Sequence, residues 1–301
     1  MLKRLVVTMI AATTAGCAAT DQRWLAAGER LATDGTFTEF SLPHPMSSPT
    51  TIALAPDGTV WFTESNGNRI GRMNPDGTHL TEFDVPAPES APRIIALGAD
   101  GNVWFSEHLA NKIARITPKG EITEFAIPSP ESQPRAIALG ADGNIWFSEF
   151  NTSKIGRITP AGAITEFDLP RPSSGPGDIT TGADGALWFI ELNGTIDGRV
   201  VNGNRVGRIT VAGQITEFAI PSATGSPTNV AVGPDRNLWY TKGAALGRVS
   251  PAGDITEFPL AQNARGVGLT AGSDRQPPER LTNRLWYADG NGNKIGYLRF
   301  R

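Results

Sequence analysis

Self-similarity along the chain leaves few folds open. Trp-aromatic pairs recur at Trp61-Phe62, Trp104-Phe105, Trp146-Phe147, Trp188-Phe189, Trp239-Tyr240 and Trp286-Tyr287, and a Thr-Glu-Phe triplet recurs from Thr38, Thr81, Thr123, Thr165, Thr216 and Thr256. Between them stand Gly71-Arg72, Ala114-Arg115, Gly156-Arg157, Gly207-Arg208, Gly247-Arg248 and Gly296-Tyr297. The period is about 42 residues, the length at which four strands make one propeller blade. The unit from Gln133 to Phe167 shows the plan: apolar runs over Arg135–Leu139, Asn144–Glu149, Lys154–Thr159 and Ala163–Phe167, broken by Asp142-Gly143 and Pro160-Ala161-Gly162. Gly in such breaks supplies the positive φ of a tight hairpin. One sheet of this size cannot bury both faces, so each unit needs neighbours of its own kind.

The ends of the array predict how it closes. The last unit stops after Lys294–Phe300 without a Thr-Glu-Phe strand, whereas the first triplet, at residues 38–40, precedes any Trp pair. The expected fold is all-β: a six-bladed β-propeller of four-stranded antiparallel blades, with Phe37–Leu42 as the outer strand of the blade that ends at Arg301. Such closure removes the sheet edges that invite aggregation. Gly 34, Pro 23 and only 19% charged residues agree with a turn-rich β protein. Two units are longer. The fourth carries a Gly- and Asn-rich excursion over Asn193–Gly203, a candidate lid, and the sixth an insertion over Gly272–Leu281.

Residues 1–17 read as an export signal: Lys3 and Arg4 precede the apolar run Leu5–Ala12, and small residues follow. Cys17, the one cysteine, follows Ala15-Gly16 as in a bacterial lipobox, so it is either lipidated or beside an ordinary signal cut. Residues 18–35 read as a tether and 36–301 as the propeller. The expected location is the periplasm or cell envelope, with contact to membrane only through the lipid anchor, and the expected state is a monomer. A formal net charge of −3 with no basic run argues against nucleic acid as a partner.

The repeated words Pro-x-x-Ile-Ala-x-Gly-x-Asp-Gly-x-x-Trp-Phe-x-Glu, Asn-Lys-Ile-Gly-Arg-Ile-Thr-Pro-x-Gly and Ile-Thr-Glu-Phe-x-Ile-Pro resemble the streptogramin B lyases, the virginiamycin B lyase family, from about Thr36 to Arg301. The resemblance implies a propeller, seven-bladed in that family, whose central cavity binds a cyclic depsipeptide with Mg²⁺, and a histidine base that opens the ester by elimination. In the family that histidine follows the Pro that begins an innermost strand. The matching positions here are Thr50, Arg93, Arg135, Gly177, Thr228 and Arg265. None is histidine, so the resemblance carries the fold and not the reaction.

Read from the residues themselves, Arg93, Arg135 and Arg265 converge on the axial mouth together with Thr228, and cations so placed call for carboxylates or an anionic ligand. Glu64, Glu107, Glu149 and Glu191 follow their Trp by three positions, with Asp289 equivalent and Lys242 the exception. They form either an acid ring able to hold Mg²⁺ or Ca²⁺ or repeated framework. His44 and His108 are candidates for a relocated base, while His79 reads as solvent-exposed. The Ser47-Ser48 and Ser173-Ser174 pairs have no partnering histidine at a useful spacing, which speaks against a serine nucleophile. Three functions remain open at this level: a propeller binding a small or cyclic-peptide-like ligand, a metal-dependent lactonase, and a non-catalytic envelope scaffold.

Overall fold

The computed structural model describes residues 40–196, 198–223, 225–260, 266–272, 284–289 and 294–299. The leader, Cys17, the tether, Arg265 and most of the sixth-unit insertion lie outside them. The described residues form five four-stranded antiparallel sheets and one three-stranded sheet, each a simple meander in chain order. In the third sheet the strands are Pro134–Leu139, Ile145–Glu149, Lys154–Ile158 and Ile164–Asp168, close to the runs predicted from the sequence. Phe40–Leu42, the described part of the expected closing strand, has no ladder among the described residues.

Why the units must stack is plain from the second strands. Val60–Glu64, Val103–Glu107, Ile145–Glu149 and Leu238–Lys242 are buried at every position, so both faces of each sheet are covered. The Trp face of one sheet packs on the Phe face of the next: Trp104 and Ile113 share a core with Ile137, Ile145 and Phe147. Trp146 and Ile155 share one with Leu187 and Phe189, and Trp188 one with Tyr240. Both rings of the first five pairs are therefore packing residues.

The remaining repeated words tie sheet to sheet. Trp61, Trp104, Trp146, Trp188 and Trp239 each stack on the Phe of their own sheet's Thr-Glu-Phe strand, as in Trp146–Phe167 with centroids 5.4 Å apart. The Arg of the Gly-Arg word caps that pair, Arg157 lying 5.4 Å from the Trp146 ring. Arg115 also donates to the carbonyl of Pro160 in the next sheet's hairpin, at 2.5 Å. The Gly of the same word makes room for the Phe of the second strand, which lies across it: a Cβ on Gly156 would meet the Phe147 ring. Where alanine stands there, at Ala114, it is fully buried opposite Phe105.

The linker between sheets is held by a residue in the left-handed region. Asn111, at φ 58°, donates to the carbonyls of Ile127 and Ser129 at 3.2 and 2.9 Å, while its Oδ1 accepts from Ser132 N and Oγ, both at 2.7 Å. Asn68 and Asn204 occupy the equivalent place. The Glu of the Thr-Glu-Phe triplet then fastens the residue after the linker Pro. Glu124 accepts from Ala87 N at 2.7 Å, Glu166 from Ser129 N at 2.9 Å and Glu257 from Ser222 N at 3.1 Å.

The fourth-unit excursion is ordered differently from a loop. The second and third strands there run on as Leu187–Ile196 and Arg199–Ile209, paired through Asn193↔Asn202 to Ile196↔Arg199. The extension is anchored, since Asn202 N donates to Ser173 O at 3.0 Å and Val201 is buried beside Phe150 and Leu192. Alternation within the inserted residues lets the ladder continue.

Candidate functional site

The first strands of the sheets lie side by side, and their starts carry the site. Five of them open on proline, at Pro49, Pro92, Pro134, Pro176 and Pro227, a position where a missing N–H is tolerated. Just after the proline the pairing slips. Pro134 faces Glu149 and Ile137 faces Phe147, so Arg135 and Ala136 together oppose Ser148 alone. The same bulge is present in the first, second, fourth and fifth sheets. A hydroxyl on the second strand stabilises it: Ser148 Oγ accepts from Ala136 N at 3.1 Å and Ser106 Oγ from Ile94 N at 3.2 Å. Bulges re-aim side chains. Here the residue after the proline turns into a shared cavity of about 550 Å³, walled by Arg93, Arg135, Gly177, Asp178, Thr228 and Asn229 with Leu192 behind.

Three of the four predicted binding residues are thus brought together, and the fourth, Arg265, lies outside the described residues. The Arg135 guanidinium is seated over the Phe150 ring at 4.6 Å. Thr228 Oγ1 shares a hydrogen bond with Thr241 Oγ1 at 2.8 Å. Asp178 was not singled out in the sequence. It replaces the small or apolar residue of the first-strand word just where Ile190 replaces the bulge-stabilising hydroxyl of the second strand. Its two oxygens accept from Ile179 N and, across the sheet boundary, from Val230 N, each at 3.0 Å. Part of its surface remains on the cavity, yet the dense wall pushes its pKa up to about 6 by desolvation. An acid inside the word Pro-x-x-Ile was the signal that could have found it.

The repeated glutamates behave otherwise. Glu64, Glu107, Glu149 and Glu191 are fully buried, and neither oxygen of Glu64, Glu107 or Glu191 has a hydrogen-bond partner. Each shares its one basic neighbour with a second acid. Lys112 sits 2.6 Å from Glu124, and Lys154 reaches Glu166 at 3.5 Å and Asp168 at 3.3 Å. The Ser90 hydroxyl, whose proton goes to Asn68 Oδ1, only tempers the outcome. Burial first, and the second acid next, push Glu107, Glu149 and Glu191 up to about 8, and burial also raises Glu64. Glu107, Glu149 and Glu191 thus favour the protonated form up to about 8. Among the described residues no three His, Cys, Asp or Glu side chains come together as metal ligands. Asp289 ends the second strand of the sixth sheet, opposite Gly266. Lys242, the exception, donates to the linker cap Asn204 Oδ1 at 2.5 Å and to Ser222 O.

His44 and His108 are placed by backbone-level tasks. His44 follows the linker Pro43, and its Nδ1 lies 2.5 Å from Glu82 Oε2, in the role that Ser129 plays toward Glu166. His108 Nδ1 is 3.2 Å from Pro134 O, at the rim where the third sheet begins. Neither lines the cavity.

Repeated four-stranded sheets stacked face to face, with a cavity at the starts of adjoining first strands, define a β-propeller. The chain belongs to the virginiamycin B lyase family, whose model matches residues 20–203 and 199–301. Among solved structures, a catalytically inactive histidine-to-alanine virginiamycin B lyase from Staphylococcus aureus with quinupristin is 38% identical, with a TM-score of 0.77 over 90% of this chain and 87% of that one. A streptogramin B lyase structure is 34% identical, with a TM-score of 0.74 over 88% of this chain and 87% of that one. The curated virginiamycin B lyase from Bordetella parapertussis is 48% identical over 40 residues, and the match spans only 13% of either chain.

Proposed function

We propose that this protein is a closed six-bladed propeller that binds a small or peptide-like ligand at its axial mouth without performing the family's elimination. The observation that carries the binding reading is the cavity itself, built by the same bulge in adjoining sheets and walled by the residues that follow the strand-opening prolines. Those residues are Arg93, Arg135, Gly177 and Thr228, and the sequence places arginine at position 265 as well. No imidazole stands where the resemblance puts the base. A histidine-to-alanine relative is described as catalytically inactive and yet carries quinupristin, which supports binding and turnover as separable properties of the fold.

Closure has its own support. Phe83, Phe125, Phe167 and Phe218 each pack on the hairpin glycine of the following sheet, Gly120, Gly162, Gly213 and Gly253, leaving no room there for a Cβ. Phe40 packs on Gly77 of the first sheet in the same manner. It therefore stands where the outer strand of a preceding blade would place its phenylalanine, and His44 continues the pattern on Glu82.

Titration of the purified chain with quinupristin by isothermal calorimetry, followed by mass spectrometry after incubation with Mg²⁺, tests the reading. The expected outcome is saturable binding with the ring intact. Efficient linearisation that EDTA abolishes would overturn it.

A further inference from the structure

We infer that Asp178 is the group by which the axial cavity recognises its ligand, an ionised acceptor for N–H donors that the ligand presents; this rests on the reading of the cavity as a ligand site. The fourth sheet breaks the repeat where it meets the cavity. Its first strand has Gly177-Asp178 after the proline, where the second and third sheets have Arg93-Ile94 and Arg135-Ala136, and its second strand has Ile190 in place of Ser106 and Ser148. Packing needs no acid at this place, since Ile94 and Ala136 join the core in the neighbouring sheets. The bulge brings both residues after each proline to the cavity wall, so Asp178 lines it beside Thr228 and Asn229 of the fifth sheet. Gly177 carries no side chain to cover the carboxyl, and a Cβ there would stand 3.1 Å from Leu192.

The carboxyl is held in place without being saturated. Oδ1 accepts from Ile179 N and Oδ2 from Val230 N, each at 3.0 Å, which fixes the group across the junction of the fourth and fifth sheets. A carboxylate offers about four acceptor positions, so capacity remains on a half-buried residue that lines the cavity. Burial raises its pKa to about 6, with only those two N–H groups acting the other way. Between pH 5 and 7.5 it therefore passes from mostly neutral to mostly ionised, and the ionised form accepts the stronger hydrogen bonds. The charged neighbours do not follow it over that range. Arg93 and Arg135 wall the same cavity, and arginine stays cationic throughout. Glu149 and Glu191, which end the second strands of the third and fourth sheets, favour the protonated form up to about 8. Lys242, which ends that of the fifth, is engaged by Asn204 and Ser222. His108 stands on Pro134 O at the rim and does not line the cavity.

Isothermal calorimetry of the full chain with quinupristin at pH 5.0, 6.0 and 7.5, in 50 and 500 mM NaCl, is the test. If the ionised form is the one that recognises the ligand, affinity at pH 5.0 should be about tenfold below that at pH 7.5. At pH 6.0, buffers of different ionisation enthalpy should show roughly half a proton released for each ligand bound. Asp178→Ala, which installs the residue that the third sheet holds as Ala136, should lower affinity at pH 7.5 about tenfold and flatten the profile. The variant meets the same ligand at each pH, so any share owed to titration of the ligand or of His108 survives in it and cancels in the comparison. Proton release by the unaltered chain keeps the inference testable if the variant melts early. Loss of the pH-dependent share at 500 mM NaCl marks the donor as an ammonium, and its persistence marks an amide N–H; both are the inferred contact. An affinity of the unaltered chain that does not change with pH, or an Asp178→Ala protein that keeps both affinity and profile, would overturn the inference and leave the ligand-site reading standing. No binding of quinupristin at any pH would overturn both.

Discussion

At the scale of single residues, the repeated glutamate after each Trp is the most consequential side chain outside the cavity. In the unfolded chain it ionises near 4.5, whereas in the folded protein Glu107, Glu149 and Glu191 keep their proton to about 8. Across that interval the folded state binds protons that the unfolded state has released. The contribution of these groups to stability is therefore fully present below the ordinary value of 4.5, falls as pH rises, and is lost above about 8. The slope is on the order of 1 kcal/mol per pH unit for each well-buried site. Differential scanning calorimetry should find a lower Tm at pH 9 than at pH 5. Glu107→Gln, which keeps the shape of the protonated acid, should raise Tm at pH 9 and flatten the profile. A Tm as high at pH 9 as at pH 5 would show that the buried acids are ionised and otherwise compensated. The position of these glutamates was legible in the sequence. Their protonation was not, because it depends on how one lysine or arginine is divided between two acids, as Lys112 is between Glu107 and Glu124.

Among the elements, strands and hairpins are legible in alternation and glycine, whereas the tasks of the polar words are not. The Asn that begins Asn-Lys-Ile-Gly-Arg looks like a turn residue. In the fold it takes a left-handed backbone and spans the linker with both ends of its amide. Asn111→Ala removes four hydrogen bonds and places a Cβ residue at φ 58° without the local polar compensation that asparagine provides. Its expected cost in urea unfolding is about 2–4 kcal/mol. A loss below about 0.5 kcal/mol would show that water replaces the amide fully. The bulge behind each strand-opening proline was likewise invisible in the sequence. In the third and second sheets it is fastened by a hydroxyl on the neighbouring strand, Ser148 or Ser106, which accepts the N–H left out of the ladder, while the fourth sheet carries the same bulge with Ile190 at that place. The excursion at Asn193–Gly203, expected as a candidate lid, is instead ladder, because its residues pair across the hairpin and Val201 finds a buried seat.

For the whole molecule, the question is whether the ring is closed from the N-terminal side. If Phe40 serves as the outer-strand phenylalanine of a preceding blade, Phe40→Ala should destabilise the protein about as much as Phe125→Ala, each by about 2–3 kcal/mol in chemical denaturation. Near-neutral behaviour of Phe40→Ala beside a costly Phe125→Ala would mark residue 40 as incidental to the fold. The array also bears on cooperativity: sheets that share a Trp–Phe core with each neighbour unfold together, so both variants should show one transition.

The sequence by itself determined the repeat, the four-stranded unit, the family, and the absence of histidine at each position that follows a strand-opening proline or its equivalent. All of these are properties of words and spacing. Tertiary structure decided the rest, because it alone sets neighbours. It brought Arg93, Arg135 and Thr228 into one cavity, added Asp178 from a departure in the first-strand word, and gave His44 to a sheet junction. It also set Glu64, Glu107, Glu149 and Glu191 in fully buried positions. Burial joins strands of neighbouring units about 42 residues apart and charge division joins different strands of one sheet, and no local pattern encodes either.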